Sequence, residues 1–147
     1  MVLGIGEGSL DIALGKYSYR PGETINGTVQ LRLNSPKQAR ALRIDFYGEI
    51  RQYTGKSTSV RRINQFTQQA SGERIYNNGE SIPFTLIVPA VSSNTLPAGM
   101  PSFLSGLMAA FQPKPTWYVH ASLDAPMALD INKRVQIVLI DAQGKPL

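Results

Sequence analysis

Residues 24–33 read Thr-Ile-Asn-Gly-Thr-Val-Gln-Leu-Arg-Leu, and this stretch decides the fold class. Apolar and polar residues alternate in it, so that Ile25 and Val29 share one face while Thr28 and Gln30 share the other. A period of two is that of a β-strand with one buried and one solvated face. The stretch therefore predicts an amphipathic strand of an antiparallel sheet.

The same alternation recurs along most of the chain. It predicts further strands over residues 9–14, 41–53, 60–69, 73–76, 81–88, 116–123 and 135–140. In segment 41–53 it places Ile44 and Phe46 on the buried face and Tyr47 on the wet face. Segment 60–69 is polar, which is typical of an edge strand or a mobile connection. About eight strands separated by Pro and Gly predict an all-β, immunoglobulin-like β-sandwich. We expect one such domain over residues 1–147.

Two shorter patterns carry local predictions. Asn77-Asn-Gly-Glu80 lies between the strands 73–76 and 81–88, and Asn-Gly is typical of the turn in a tight β-hairpin. The other pattern predicts a short amphipathic helix over residues 101–111, inside a loop. Phe103, Leu107 and Phe111 recur in it at four-residue spacing, and Leu104 and Met108 lie beside them.

Composition excludes several classes of protein. The 147 residues contain no cysteine, so disulfides, thiolate catalysis and thiolate metal sites are excluded. The first residues lack the pattern of a secretory signal, and no apolar run is long enough to cross a bilayer. We therefore expect a cytoplasmic protein. Its net charge of +5 favours anionic partners.

Residues that could carry catalysis are sparse. His120 is the only histidine, and the alternation places it on the face opposite Trp117 and Val119. Asp124 and Asp130 lack the dense oxygen spacing of a calcium loop, so an ordinary turn is the better interpretation. We expect no catalytic residue, no metal and no cofactor, and hence no enzyme.

Candidate binding residues fall into two groups. Outward arginines could form a basic surface for phosphorylated or acidic peptides, and the alternative is a solvated sheet face. They are Arg32, Arg43, Arg51, Arg61 and Arg62. The apolar side chains of segment 101–111 either cap the sandwich core or dock a partner or a membrane. Nucleic acid is not expected, because no basic groove interleaved with aromatic residues is visible.

Three segments resemble, in a fixed order, the N-terminal domain of arrestins, and most closely the alpha-arrestins and their prokaryotic relatives. They are Tyr19-Arg-Pro-Gly-Glu-Thr-Ile-Asn-Gly-Thr-Val-Gln-Leu31, Asn78-Gly-Glu-Ser-Ile-Pro-Phe-Thr-Leu-Ile-Val-Pro89 and Trp117-Tyr-Val-His-Ala-Ser-Leu-Asp124. The resemblance implies an arrestin-type β-sandwich that serves as a scaffold in trafficking or signalling. It also implies a second sandwich in many relatives, and only one is visible in this sequence.

Two functions follow as hypotheses. The first is a non-enzymatic adaptor that binds a partner protein by edge-strand addition or by docking on a sheet face. The second is a peripheral membrane protein that uses the apolar segment and a basic sheet face. Unpaired sheet edges also make a homodimer a reasonable expectation.

Overall fold

Strands make up the regular structure of the residues that the structure describes. The structure is a computed structural model that describes residues 8–89, 115–126 and 131–146. Its strands are β1 (Gly8–Leu14), β2 (Ser18–Tyr19), β3 (Thr24–Leu33), β4 (Lys37–Ala39), β5 (Leu42–Thr54), β6 (Ser57–Ser71), β7 (Arg74–Tyr76), β8 (Ser81–Ile87), β9 (Thr116–Leu123) and β10 (Ile131–Leu139). The described ranges contain ten strands instead of about eight, because the short β2 and β4 were not predicted.

The strands form two main sheets and one small one. A three-stranded antiparallel sheet has the order β1-β3-β8, and a five-stranded sheet has the order β2-β10-β9-β5-β6. Strands β4 and β7 pair with each other in the small sheet. The all-β sandwich prediction is confirmed.

The core lies between the two main sheets and follows the alternation of the strands. In β3, Ile25, Val29 and Leu31 are buried, while the side chains of Asn26 and Gln30 between them are exposed. The five-stranded sheet supplies the opposite wall of the same cluster. Its buried members include Ile44, Phe46, Trp117, Val119, Ile137 and Leu139.

Gly27 shows why one position of β3 must lack a side chain. A Cβ atom there would lie 2.4 Å from the Phe84 ring of β8 and 2.8 Å from Leu14 of β1. The neighbouring strands thus bring large side chains over the glycine. A close approach of neighbouring strands is a usual reason for a glycine inside a strand.

The turn at residues 77–80 exists, but the hairpin prediction is wrong. The Glu80 amide donates to the Asn77 carbonyl at 3.4 Å, and Gly79 has a φ of 85°. Asn78 is not among the residues with positive φ, so the geometry is that of a type II turn rather than type I′. The flanking strands do not pair with each other, because β7 pairs with β4 and β8 with β3.

Other expectations have mixed outcomes. Segment 60–69 is part of a continuous edge strand, β6, rather than a mobile connection. Tyr47 was expected on the wet face and is 1% exposed, because side chains of the outer face cover it. The predicted helix 101–111, with Phe103, Leu104, Leu107, Met108 and Phe111, lies outside the described residues, as does Asp130.

Candidate partner-binding site

The β5–β6 hairpin extends beyond the sandwich. The last pair between β5 and β9 is Glu49 with Thr116, whereas β5 and β6 continue to pair as far as Thr54 and Ser57. We call residues 50–62 the ribbon. Arg51 and every residue from 55 to 62 are exposed, so this part of the hairpin has water on both faces.

The ribbon carries positive charge and has no acidic residue of its own. It contains Arg51, Lys56, Arg61 and Arg62, and no Asp or Glu occurs between positions 50 and 72. In the register, Arg62 lies opposite Glu49 and Arg61 opposite Ile50, which places the two adjacent arginines on opposite faces. A partner would therefore meet cations on either face of the ribbon.

Strand β6 forms one edge of the five-stranded sheet. Its fifteen residues, Ser57–Ser71, pair with β5 on one side, and the sheet order ends there. An edge strand presents unpaired N–H and C=O groups that can receive a further strand. The register slips between Phe46 and Gly48, where Asn64 adopts a φ of 51° at the base of the ribbon.

The five arginines selected from the sequence do not form one stripe. Arg32 lies on β3 in the other sheet, where its guanidinium is 3.5 Å from Asp11. Arg43 lies at the start of β5 and donates to Asp124 at 2.8 Å. Only Arg51, Arg61 and Arg62 come together, and the ribbon is where they do so.

Aromatic rings connect the ribbon to the outer face of the five-stranded sheet. The Arg62 guanidinium lies 4.2 Å from the centroid of the Tyr47 ring, which packs 5.7 Å from the Tyr118 ring. Arg134 lies 4.0 Å from the centroid of Tyr118 on the next strand. Hydrogen bonds from Arg134 to Tyr47 and Glu49 raise the pKa of its guanidinium. This row of side chains spans β6, β5, β9 and β10.

A second polar row crosses the same four strands. The Thr67 hydroxyl donates to Asp45, and Asp45 Oδ2 lies 3.2 Å from Nδ1 of His120. The other imidazole nitrogen lies 3.2 Å from Oδ1 of Asn132. His120 therefore lies on the predicted face, where its contacts with Asp45 and Asn132 connect β9 to β5 and β10.

The described residues offer little for catalysis. They contain no group of three or more His, Asp or Glu side chains placed to bind a metal ion. A cavity of about 210 Å³ at the ends of β9 and β10 is lined by side chains without an acid or a base. Within the described ranges we also find no helix with the length and apolarity to cross a membrane.

Sequence reasoning missed two functional candidates. Lys56 lies in the turn at the tip of the ribbon, and the absence of acidic residues around it was the signal that could have identified it. Tyr47 was placed among outward polar residues, because a period of two gives the face of a side chain but not what covers it.

Comparison with known proteins agrees with this architecture. A family model described as "Arrestin (or S-antigen), N-terminal domain" matches residues 10–104. Among solved structures, the sporulation control protein Spo0M from Bacillus subtilis superposes with a TM-score of 0.67 at 19% sequence identity. That superposition covers 92% of this chain and 50% of Spo0M, so the chain spans about half the length of that protein.

A search of curated proteins found no match. The identity to Spo0M is low, so that likeness bears on the fold alone. The family model covers well over half of the sequence, including the segments 19–31 and 78–89 that carry the resemblance. The chain belongs to the arrestin family and contains its N-terminal type of domain.

Proposed function

We propose that this domain is a non-enzymatic adaptor that binds a partner protein by receiving a strand of that partner on the β6 edge. Arrestin-like domains generally serve as adaptors or scaffolds and are generally not enzymes. The observation that carries the proposal is the position of β6, a fifteen-residue edge strand with β5 as its paired neighbour. Strand addition uses the backbone groups that such an edge leaves unpaired.

The ribbon gives this edge its chemical character. Its exposed backbone is flanked by Arg51, Lys56 and Arg61, for which the described residues supply no ion-pair partner. These cations would repel the β6 edge of a second copy, so we propose a different protein as the occupant. We further propose that the domain acts in the cytoplasm and that residues 1–147 form one sandwich.

Site-specific photo-cross-linking in the native cell tests the binding edge. A cross-linking residue at Thr58 reports on β6, and one at Gln30 on the exposed face of β3 is the matched control. We expect the partner to be captured from position 58 and not from position 30. Capture from position 30 alone, or equally from both, contradicts the proposed edge.

The cations of the ribbon also favour an anionic membrane as a second candidate. Each basic residue near such a surface contributes about 1 kcal/mol, and this attraction weakens as salt screens it. Co-sedimentation with vesicles that contain phosphatidylserine tests it. Vesicle binding that falls with added salt and with Arg51→Gln and Arg61→Gln supports the membrane function. If the protein does not bind the vesicles, the adaptor function remains.

A further inference from the structure

Three arginines lie over tyrosine rings in the described part of the chain. Arg62 lies over Tyr47 at 4.2 Å, Arg74 over Tyr76 at 4.0 Å, and Arg134 over Tyr118 at 4.0 Å from the ring centroid. A ring below a guanidinium fixes its plane and leaves the N–H groups at its rim available for oxygen acceptors. The three sites share this arrangement of a guanidinium over a tyrosine ring and can therefore be compared.

Two of these arginines have a carboxylate from the chain itself. Nη1 of Arg74 contacts both oxygens of Glu80, at 2.9 and 3.1 Å, and Arg134 donates to Glu49. Arg62 makes no hydrogen bond and no ion pair with a carboxylate of any described residue.

A carboxylate of the chain does lie close to Arg62, but it pairs with another arginine. Glu49 lies directly opposite Arg62 in the β5–β6 register, where cross-strand side chains are close enough to interact. Its carboxylate instead accepts a hydrogen bond from Arg134, two strands away. The stack on Tyr47 keeps the Arg62 guanidinium in place over the outer face. Arg62 is thus positioned and exposed, and its N–H groups have no protein acceptor among the described residues.

We propose that Arg62 receives a carboxylate of the bound partner, namely an Asp or Glu side chain on the strand that is added to β6. This inference rests on the proposed function, since it requires the partner strand next to β6. A side chain of that strand, directly opposite Arg62 and on the outer face, has its Cβ at cross-strand contact distance from the Arg62 Cβ, and its carboxylate would extend over β6 toward the guanidinium, which lies on the β5 side. Arginine and a carboxylate form paired, charge-assisted hydrogen bonds, so the contact selects an acidic residue at one register position.

Charge around the site supports an acidic rather than a neutral strand. Arg51 and Lys56 lie on the same ribbon, and positions 50–72 contain no acidic residue that would compete for Arg62. The opposite face of the ribbon carries Arg61, which favours acidic side chains at neighbouring positions of the partner strand as well. Arg62 differs from these cations because an aromatic ring fixes it, so it should contribute most to specificity.

A double-mutant cycle between protein and peptide tests the inference. The probes are the extended peptide Ac-Gly-Ser-Thr-Val-Thr-Glu-Thr-Val-Thr-Ser-Gly-NH2 and the same peptide with Gln in place of Glu. Binding is measured by chemical shifts of the β6 amides in the wild type, in Arg62→Gln and in Arg40→Gln. Arg40 is exposed before the start of β5, so Arg40→Gln removes the same charge away from the ribbon.

We expect Arg62→Gln to weaken binding of the Glu peptide about tenfold and to leave the Gln peptide nearly unchanged, as suits one charge-assisted contact. Arg40→Gln should change neither affinity. The contrary outcome is that both peptides protect the β6 amides from exchange while Arg62→Gln weakens the binding of both equally. In that case strand addition stands and the role of Arg62 is overturned.

A second measurement tests Arg62 even where neither peptide binds β6, an outcome that would contradict strand addition by these probes. Inorganic phosphate is titrated while the Nε–H signals of Arg62, Arg74 and Arg134 are followed by NMR. A shift of the Arg62 signal at lower phosphate than the other two supports an open oxyanion site, because Glu80 and Glu49 occupy theirs. Equal shifts of all three signals overturn the proposal.

Discussion

The two halves of the β5–β6 hairpin have the same backbone pairing and opposite surroundings. From Leu42 to Glu49, strand β5 pairs on both sides, with β6 and with β9, and its inward side chains are buried. Beyond Glu49 it pairs with β6 alone, and the ribbon has exposed residues on both faces. One hairpin thus contributes to the core at one end and extends into solvent at the other.

This difference separates what stabilises the domain from what can bind a partner. Burial of apolar surface contributes most to stability, and it is concentrated in the sandwich half around Phe46. The ribbon buries little, so its sequence is free to serve recognition. Substitutions in the two halves should therefore differ in which measurement they change, and the following predictions test that separation.

The largest effect should come from Phe46, whose ring is fully buried and stacks 5.5 Å from Trp117 and 5.6 Å from Phe66. Phe46→Ala should lower the free energy of unfolding by about 3–5 kcal/mol, because truncating a buried aromatic leaves a cavity. Urea denaturation followed by the fluorescence of the single tryptophan measures this.

The matched substitution in the ribbon is Val60→Ala, since Val60 is 53% exposed. It should change the free energy of unfolding by no more than about 0.5 kcal/mol. If Val60→Ala destabilises the protein as much as Phe46→Ala, the ribbon is part of the folded core and the comparison fails.

Gly48 lies at the boundary of the two halves, so a substitution there tests where the packed half ends. A Cβ atom at Gly48 would lie 2.8 Å from the Trp117 ring and 3.1 Å from Ile63. Gly48→Ala should therefore destabilise the domain by about 1–3 kcal/mol through overpacking. Gly15→Ala is the control, because nothing lies within 4 Å of a Cβ there. Equal unfolding free energies for the two variants would show that Trp117 can move aside.

The sequence predicted the sandwich half far better than the site. Alternation in β3 and in the first half of β5 identified the buried residues, since a strand with one wet face must show a period of two. The same rule placed Tyr47 in water, and the structure covers it with Arg62, Tyr118 and Arg134. Contacts between side chains of different strands depend on strand order, which periodicity does not contain.

Strand order also explains why the hairpin prediction was wrong. Asn77-Asn-Gly-Glu80 has the composition of a hairpin turn, yet its backbone pairs with β3: the Gly79 amide donates to the Leu31 carbonyl, and the Leu31 amide donates to Glu80. A local motif predicts that the chain turns, but tertiary pairing decides which strands the turn connects. The grouping of Arg51, Arg61 and Arg62, and the separation of Arg32, follow from the same order.

Gly79 gives an effect of similar size, of backbone rather than packing origin. Its φ of 85° lies in the region that a β-branched residue resists, while no atom lies within 4 Å of a Cβ built there. Gly79→Val should therefore destabilise the domain by about 1–3 kcal/mol through backbone strain alone. Thermal unfolding measures it. An unchanged melting temperature would mean that the turn can adopt another conformation without loss.

The smallest effect should come from an exposed ion pair of the sandwich half, which tests whether charge stabilises this half as burial does. Asp11 of β1 accepts from Lys133 of β10 at 2.6 Å and lies 3.5 Å from Arg32, so it links the two sheets. The hydrogen bond and charge of Lys133, with the charge of Arg32, lower the pKa of the Asp11 carboxyl. A lowered pKa in the folded state means that the unfolded chain takes up the proton first as the pH falls.

The contribution of Asp11 to stability is therefore fully present above the ordinary carboxyl pKa of about 3.9, and it is lost as the pH falls through the lower folded value. Asp11→Asn should be slightly less stable than the wild type at pH 7, and the difference should shrink toward zero between about pH 4 and the lower folded pKa. Urea denaturation at a series of pH values measures the difference, and added salt should reduce it because the pair is exposed. A difference that is the same at every pH would assign the effect of Asp11 to packing between β1 and β10 instead of to its charge.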